Sequence, residues 1–463
     1  MMVLEKALTT FINRLEQEKI PIHSLLISQD KQIFLEGYYH PIHAQSLQRI
    51  FSITKSMTGV AILLLATEGK LKLDDPIVNY FDEYIPSDPH PWLTSMTISD
   101  LLTMRTCHKA TTYKIDPTIN WVRSFFITEP TQPPGRIFNY DTSASHTLAC
   151  LVEKLAGMKM LDYLRRLGLR DYGLTDEAYI LTDPFDVSMG GSGLMATSRD
   201  LLAFAQFLCE AKGEFQNYLN DATQIQTSTT MSGFHHLNVT GYGYQFWSLP
   251  SGYMAYGMGG QHLLIYPQHA IITVITADTQ GYPGADERIL NLFTSDLLPI
   301  LKDHSCSTPT DFTPHFQNKI AKLTLPHLPN HGTPPLNWEN GIIYHLINKT
   351  REFQKLSLNM NDHQGELHLI QKGTPHIIHF GRGHLQKDSS PLYQHTIYSS
   401  GAWCKDSTFL ITCHILDESK GKLHFQLSFQ DDEVVLLCHK IEETLYNELN
   451  QLRLVGKKYL KEH

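Results

Sequence analysis

A serine and a lysine stand three residues apart in the segment "RIFSITKSMTG", at Ser52 and Lys55. Positions i and i+3 of a helix share a face, so the serine hydroxyl and the lysine amine can meet. The apolar run "VAILLLA" follows, and burial against it would lower the pKa of Lys55. A neutral amine beside a serine hydroxyl is the general base that acyl-enzyme chemistry needs. The alternative is a helix-capping serine followed by a surface lysine, since serine is common at helix N-termini.

Two further segments carry residue types suited to the same chemistry. In "PGRIFNYDTSASHTL", Tyr140 follows a Pro-Gly turn and precedes a helix, so its phenol could point into a cleft and shuttle a proton. The alternative for Tyr140 is a half-buried core tyrosine. In "YGMGGQHLLIYP", Gly257, Gly259 and Gly260 lie beside a strand, where the backbone can approach a ligand and supply an oxyanion N–H. A simple tight turn is the alternative there.

Helices and strands predicted from the residue patterns must position these groups. An amphipathic first helix is followed by a hairpin around the polar turn at Gln29–Lys31, and then by the apolar helix that starts at the Ser52 motif. Further helices are predicted in "TISDLLTM", "DTSASHTLACLVEKLAG" and "TSRDLLAFAQFLCEAKG", the last one capped by Thr197 or Ser198. Two strands follow, in "HLLIYP" and "AIITVITAD". Strands at both ends with helices between them predict a mixed α/β domain.

The pattern changes towards the carboxyl end of the chain. Residues 303–335 are polar and interrupted by prolines, which is typical of a linker or a wrapping segment. Residues 336–463 alternate apolar and polar side chains with a period of two, which predicts a small antiparallel β domain, a barrel or a sandwich. A helix near "EETLYNELNQL" is expected to close it. The first domain is therefore assigned to residues 1–302.

Composition limits the classes of function. The formal net charge of -9 argues against a nucleic-acid or anionic-membrane partner, because both need a basic face. The seven cysteines are far apart and form no C-x-x-C pair, so no disulfide framework or zinc site is predicted. The 25 histidines include no H-E-x-x-H, and we expect neither a metal nor another cofactor. No signal peptide or membrane-spanning run is recognised, and a cytoplasmic location is expected.

Together, in this order and spacing, several segments resemble the serine β-lactamase-like superfamily. The most similar branch contains class C β-lactamases, DD-carboxypeptidases, related esterases and 6-aminohexanoate-dimer hydrolases. The resemblance covers about residues 1–300 and rests on a set of six segments, "FSITKSMTGVAILLLATEGKLKLDDPI", "TISDLLTM", "PGRIFNYD", "GGSGLMATSRDLLAFAQFL", "YGYQFW" and "YGMGGQHLLIYP". It implies an antiparallel sheet built from both ends of the domain, helices packed on that sheet, and an inserted helical subdomain with the site at the junction.

The resemblance also implies roles for individual residues. Ser52 would be the nucleophile, Lys55 its base and Tyr140 the second acid/base. The backbone N–H of Ser52 would form half of the oxyanion hole. Met258 N–H would be the second oxyanion donor, with Gly260 as the alternative if the register differs.

Three departures from the family pattern bear on the substrate. The usual Tyr-x-Asn motif is Tyr140-Asp141-Thr142 here, so Thr142 offers a hydroxyl in place of an amide. The third motif, often Lys/His-Thr/Ser-Gly, reads Gly257-Met258-Gly259-Gly260, with no cation for a substrate carboxylate. The usual Ser-Gly after the "LLT" helix is Thr106-Cys107.

These features favour one function over its alternatives. The leading hypothesis is a serine hydrolase that acts on a small ester or amide, with weak or absent β-lactamase activity. The alternatives are a catalytically idle protein that binds a ligand or partner in the same cleft, or a true β-lactamase or D-amino peptidase.

Overall fold

The computed structural model describes residues 2–230, 239, 241–303, 312–330, 332–336, 338–348, 350–390, 393–404, 407–442, 447 and 449–458. The chain divides into two compact units, Met1–Leu323 and Thr324–His463. Each unit has a sheet and a core of its own. Among the described residues, no helix is long and apolar enough to cross a membrane.

The first unit is built on a seven-stranded antiparallel sheet in the order β2-β1-β10-β9-β8-β7-β6, with a small second sheet in the order β3-β5-β4. Its strands are β1 (Ile22–Gln29), β2 (Gln32–Tyr38), β3 (Gln48–Arg49), β4 (Tyr179–Ile180), β5 (Leu194–Ala196), β6 (Gly241–Tyr242), β7 (Trp247–Leu249), β8 (Gly252–Gly257), β9 (Gln261–Tyr266) and β10 (Ile271–Ala277). Both ends of the unit contribute to the large sheet, since β1 pairs with β10. The fold implied by the family resemblance is confirmed.

The predicted hairpins form because the chain supplies the turn chemistry they need. Asp30 and Lys31 join β1 to β2 with φ of 49° and 68°, the left-handed pair that a two-residue hairpin turn requires. Strand β1 is buried along its whole length, which explains its apolar run "SLLIS". Pro267–His269 separates β9 from β10, as the sequence predicts.

Helices pack on the sheet and form the inserted subdomain. They are α1 (Met2–Gln17), α2 (Ile53–Thr67), α3 (Pro91–Thr94), α4 (Ile98–Leu102), α5 (Trp121–Ile127), α6 (Thr142–Ala156), α7 (Met160–Arg166), α8 (Ser198–Cys209), α9 (Gly213–Thr223), α10 (Ala285–Leu292), α11 (Leu298–Asp303) and α12 (Pro314–Ala321). Helices α4 and α8 begin with complete capping boxes, and Thr197 rather than Ser198 caps α8.

Helix α2 is the central helix of the first unit. Every residue from Ile53 to Ala66 is buried, so the helix has no solvent-exposed face along its "VAILLLA" run. It packs against α6, α7 and α9 and against β8 and β9 of the large sheet. Its amino end therefore lies where the helical subdomain meets the sheet, and Ser52 precedes its first residue.

The structural boundary between the units follows Leu323 and differs from the predicted boundary at residue 302. Helix α12 packs on β2, and its Phe316 side chain is buried. Leu323 Cδ1 approaches the Cβ position of Gly37, and the Leu323 carbonyl accepts a hydrogen bond of 2.9 Å from the His40 N–H. The proline pattern around residue 314 marks a helix start here, because proline fits the first turn of a helix.

The second unit is an antiparallel barrel, one of the two architectures predicted. Its strands are β11 (Ile343–Leu346), β12 (Phe353–Met360), β13 (Gln364–Gln371), β14 (Thr374–Gly381), β15 (Gln386–Ser389), β16 (Thr396–Trp403), β17 (Thr408–Leu416), β18 (Lys420–Gln430), β19 (Glu433–Ile441) and β20 (Leu452–Lys458). The order β14-β13-β12-β11-β20-β19-β18-β17-β16 closes through a parallel pair between Gly381 and Ser400. Alternate side chains such as Leu423, Phe425 and Leu427 fill the core. Of the predicted helix "EETLYNELNQL", residues 443–446 and 448 lie outside the described residues, and Leu452 at its end begins β20.

Candidate active site

A tight corner sets Ser52 at the start of α2. Phe51 has φ of 49°, a left-handed conformation that a bulky residue seldom adopts, and Ser52 itself is in the right-handed helical region. Two groups of Thr54 stabilise the corner, because its N–H and its hydroxyl both donate to the Phe51 carbonyl, at 3.0 and 2.6 Å. Ser52 is partly exposed, whereas the helix behind it is buried. The corner therefore presents the Ser52 hydroxyl at the surface of a rigid core.

The Lys55 side chain is 1% exposed, and its amine lies among three oxygen atoms. Lys55 Nζ is 3.1 Å from Ser52 Oγ, 3.3 Å from Thr142 Oγ1 and 2.6 Å from the Gly191 carbonyl oxygen. A protonated amine would donate to all three oxygens. A neutral amine would donate to Thr142 and Gly191 and keep its lone pair for the Ser52 hydroxyl. The geometry thus suits both protonation states that a general base must visit.

Tyr140 lies on the other side of the same amine. The centroid of its ring is 4.9 Å from Lys55 Nζ, and its hydroxyl is hydrogen-bonded to Ser52. The ring stacks on Trp247 at 5.7 Å between centroids. Burial raises the pKa of Tyr140, and the hydrogen bond with Ser52 opposes this only partly, so the phenol keeps its proton at neutral pH. Tyr140, which is far from Ser52 and Lys55 in the sequence, thus meets both of them at one point.

Thr142 occupies the first turn of α6, where the family pattern has an asparagine two residues after the tyrosine. Its hydroxyl contacts Lys55, and its backbone N–H donates to Thr111 Oγ1 at 3.1 Å. Asp141 caps the helix, because its carboxylate accepts the Ser143 N–H at 2.8 Å. Position 142 therefore keeps a polar contact to the lysine and lacks the second, amide donor.

The Gly257–Gly260 corner joins β8 to β9 beside the residues that lead into Ser52. A Cβ atom on Gly257 would lie 2.2 Å from the Ile50 carbonyl oxygen, so only glycine permits this approach. Gly259 and Gly260 have φ of 78° and 83°. Met258, between them and β8, is partly exposed. Use of the Met258 and Ser52 N–H groups as oxyanion donors stays a prediction.

Two buried glutamines stabilise this arrangement and had no role in the sequence reading. Gln261 Nε2 donates to the carbonyls of Met258 and Gly259, at 3.1 and 3.0 Å, and so holds the glycine corner. Gln245 Nε2 donates to the Leu102 carbonyl of α4 at 2.8 Å, and its Oε1 accepts from the Ser145 hydroxyl of α6. Gln245 lies in "YGYQFW" and Gln261 in "YGMGGQHLLIYP", but neither segment by itself indicates these hydrogen bonds.

Gly191 is a further site residue whose role the sequence did not show. Its carbonyl gives the shortest of the three described hydrogen bonds of the Lys55 amine, and a Cβ atom at this position would lie 2.4 Å from Thr142 Cγ2. The segment "GGSG" is a glycine-rich stretch before α8, and nothing local in it indicates the contact with Lys55. Around Lys55, the described polar contacts are oxygen atoms, and no described group of three His, Cys, Asp or Glu side chains could hold a metal ion.

Solved structures share this fold at low sequence identity. An octameric penicillin-binding protein homologue from Pyrococcus abyssi is 18% identical with a TM-score of 0.51, and the alignment covers 97% of this chain and 99% of that one. EstCE1, a hydrolase with promiscuous acyltransferase activity, is 16% identical with a TM-score of 0.52, covering 63% and 98%. A proposed 6-aminohexanoate-dimer hydrolase from Bacillus anthracis is 17% identical with a TM-score of 0.50, covering 63% and 81%.

No curated protein matches the sequence. The family model described as Beta-lactamase matches residues 8–293, more than half of the chain. That range contains the large sheet, the helical subdomain and the Ser52, Lys55, Tyr140 and Gly257–Gly260 positions. The chain belongs to the beta-lactamase family.

Proposed function

We propose that this protein is a serine hydrolase that cleaves a small ester or amide through an acyl-enzyme on Ser52. The observation that carries the proposal is the contact of 3.1 Å between Lys55 Nζ and Ser52 Oγ, with the Tyr140 hydroxyl bonded to the same serine. A nucleophile, a buried amine and a second proton donor within hydrogen-bond reach are the parts that acyl transfer requires.

The contacts suggest how the protons move. Ser52 Oγ attacks the acyl carbon as its proton passes to the neutral Lys55 amine, which Thr142 and the Gly191 carbonyl keep oriented. Tyr140 carries a proton at neutral pH, because burial raises its pKa, and it gives this proton to the leaving group, which leaves a phenolate beside the Lys55 ammonium. Water then attacks the acyl-enzyme, with Lys55 and Tyr140 in the reverse roles. The oxyanion is assigned to the N–H groups of Ser52 and Met258.

The residues near Ser52 favour an uncharged substrate. The corner at Gly257–Gly260 supplies backbone groups and the Met258 side chain, where a substrate carboxylate would need a cation. Tyr140, which stacks on the buried Trp247 beside Lys55, offers an aromatic surface to a substrate. We therefore assign short neutral esters and amides as substrates, and we expect β-lactams and carboxylate-ended peptides to be poor ones.

Two measurements test this function. A fluorophosphonate probe followed by intact mass should give one adduct on the wild type and none on Ser52→Ala, with the thermal melting temperature measured for both. A panel of nitrocefin, short p-nitrophenyl esters, D-amino-acid amides and linear ω-amides should then show turnover of esters or ω-amides that Ser52→Ala removes. A wild type that is neither labelled nor active would instead favour the idle, ligand-binding alternative.

A further inference from the structure

Asp141 is a buried carboxylate set between two residues of the candidate site, Tyr140 and Thr142. It has no exposed surface, and it caps α6. One carboxylate oxygen accepts from both the N–H and the hydroxyl of Ser143, and the other accepts from the Thr106 hydroxyl at 3.3 Å. Burying a charge is costly unless it is hydrogen-bonded. Helix capping needs only the Ser143 N–H, so the additional hydroxyl donors of Ser143 and Thr106 indicate that the carboxylate has a second role.

The hydrogen bonds around Asp141 join the Tyr140 segment to the loop of residues 104–112. Within that loop, Met104 carbonyl accepts the Asn139 N–H at 2.8 Å, and Thr111 Oγ1 accepts the Thr142 N–H at 3.1 Å. Thr106 adds the contact to the Asp141 carboxylate itself. The loop therefore supports Tyr140 and Thr142. The Asp141 carboxylate links the loop, through Thr106, to the amino end of α6, through Ser143.

The charge of Asp141 also acts on Lys55. Burial raises the pKa of Asp141 to about 6, and hydrogen bonds from Ser143 and Thr106 and the positive charge of Lys55 oppose that rise. The Lys55 amine contacts the hydroxyl of Thr142, the residue next to Asp141, at 3.3 Å, so the two charged groups belong to neighbouring positions and a charged Asp141 favours the ammonium form of Lys55.

Of the described titratable groups on the neighbouring segments, Tyr140 and Cys107 have pKa values raised by burial, and His108 has a pKa lowered by burial to about 4. All three are therefore neutral near pH 7, while Asp100 is a second carboxylate near Cys107. They do not offset the charge of Asp141.

We propose that Asp141 is a positioning residue of the candidate site, which holds Tyr140 and Thr142 against Lys55 and favours the protonated amine through its negative charge. This inference rests on the proposed function, because it concerns the base of that reaction. The charge of Asp141 then helps to set the pH at which Ser52 becomes reactive. Asp141 lies between Tyr140 and Thr142, the residue that replaces the family's asparagine.

The test is the pH dependence of Ser52 reactivity in Asp141→Asn and Asp141→Ser. Both variants keep a helix-capping oxygen and remove the charge. We expect the midpoint of the acidic limb, measured for fluorophosphonate labelling and for ester hydrolysis, to move about one pH unit lower in both, the size expected of one nearby charge. A midpoint unchanged in both variants would overturn the inference, whatever happens to the maximal rate.

Two controls separate the possible failures. Asp183→Asn removes another buried carboxylate, one that pairs with His146 of α6 at 3.0 Å, and it should leave the midpoint in place. An equal shift in Asp183→Asn would show that any lost buried charge has this effect and would also overturn the proposal. If the wild type is not labelled on Ser52 at any pH, the proposed function fails. If the wild type is labelled and the midpoint does not move, only the role of Asp141 fails.

Discussion

Lys55 Nζ lies 2.6 Å from the Gly191 carbonyl oxygen, closer than the 3.1 Å that separates it from Ser52 Oγ. The amine is thus oriented by a backbone group from the far end of the helical subdomain. Position 191 must be glycine for this contact, because a Cβ atom there would lie 2.4 Å from Thr142 Cγ2 and 3.5 Å from the amine. The arrangement of Lys55, Thr142 and Gly191 therefore depends on this close approach.

Gly191→Ala should therefore reduce the rate of hydrolysis by about 10–100-fold, since displacing the amine by about 1 Å misaligns the base. The measurement is kcat for a p-nitrophenyl ester, together with the melting temperature. Ser192→Ala is the matched control, because the described contact of Ser192 with Arg49 uses its backbone carbonyl. Full activity of Gly191→Ala would mean that the carbonyl contact is not needed.

Lys55→Met should abolish the reaction without unfolding the protein. Loss of a general base costs about 10²–10⁴-fold in rate. Methionine fills a similar volume in the buried helix and removes an amine that needs three oxygen partners, so the melting temperature should stay the same or rise. Activity close to the wild-type level would exclude Lys55 as the base. A large fall in the melting temperature would show instead that the amine has a structural role.

Tyr140→Phe should affect substrates according to their leaving groups. A p-nitrophenolate departs without a proton, whereas an amine must be protonated, so loss of the phenol should lower kcat/KM, which reports acylation and not the shared deacylation, by about 10²–10⁴-fold for amides and far less for p-nitrophenyl esters. Tyr242→Phe is the control, because its ring contacts Tyr140 and Trp247 edge-on in the same aromatic cluster. An equal loss for esters and amides would contradict the assignment of Tyr140 as the acid.

Stability should depend on pH through Asp141. Its pKa is raised by burial from 3.8 to about 6, so the folded protein binds this proton more tightly than the unfolded chain does. The stability that results is complete below pH 3.8 and is lost as the pH rises through about 6, by up to about 3 kcal/mol. The melting temperature of Asp141→Asn relative to wild type should therefore improve between pH 4.5 and pH 7.5. A difference that is constant over this range would show that the carboxylate is not buried as described.

How far the sequence could predict the structure depends on how local each signal is. The Asp30–Lys31 turn, the capping boxes at Thr97 and Thr197, and the period-two strands of the second unit are set by residues close together in the chain. The hairpin around this turn, the two helices that Thr97 and Thr197 cap and the period-two strands were predicted, as was the α/β class, whereas the capping boxes themselves were not. The place of α12 was not predicted, because its packing depends on β2, about 280 residues earlier.

For the candidate site, the sequence alone determined which residue types could react: Ser52 with Lys55 one helical turn away, Tyr140 before a helix, and glycines at the β8–β9 corner. It also determined what the two motifs lack, an amide at position 142 and a cation within Gly257–Gly260. Only the tertiary structure decided that these groups meet, and that the Gly191 carbonyl and the Asp141 carboxylate accompany them. The physical reason is that a hydrogen bond of about 3 Å between distant segments depends on how sheet and subdomain pack, and no local pattern encodes that distance.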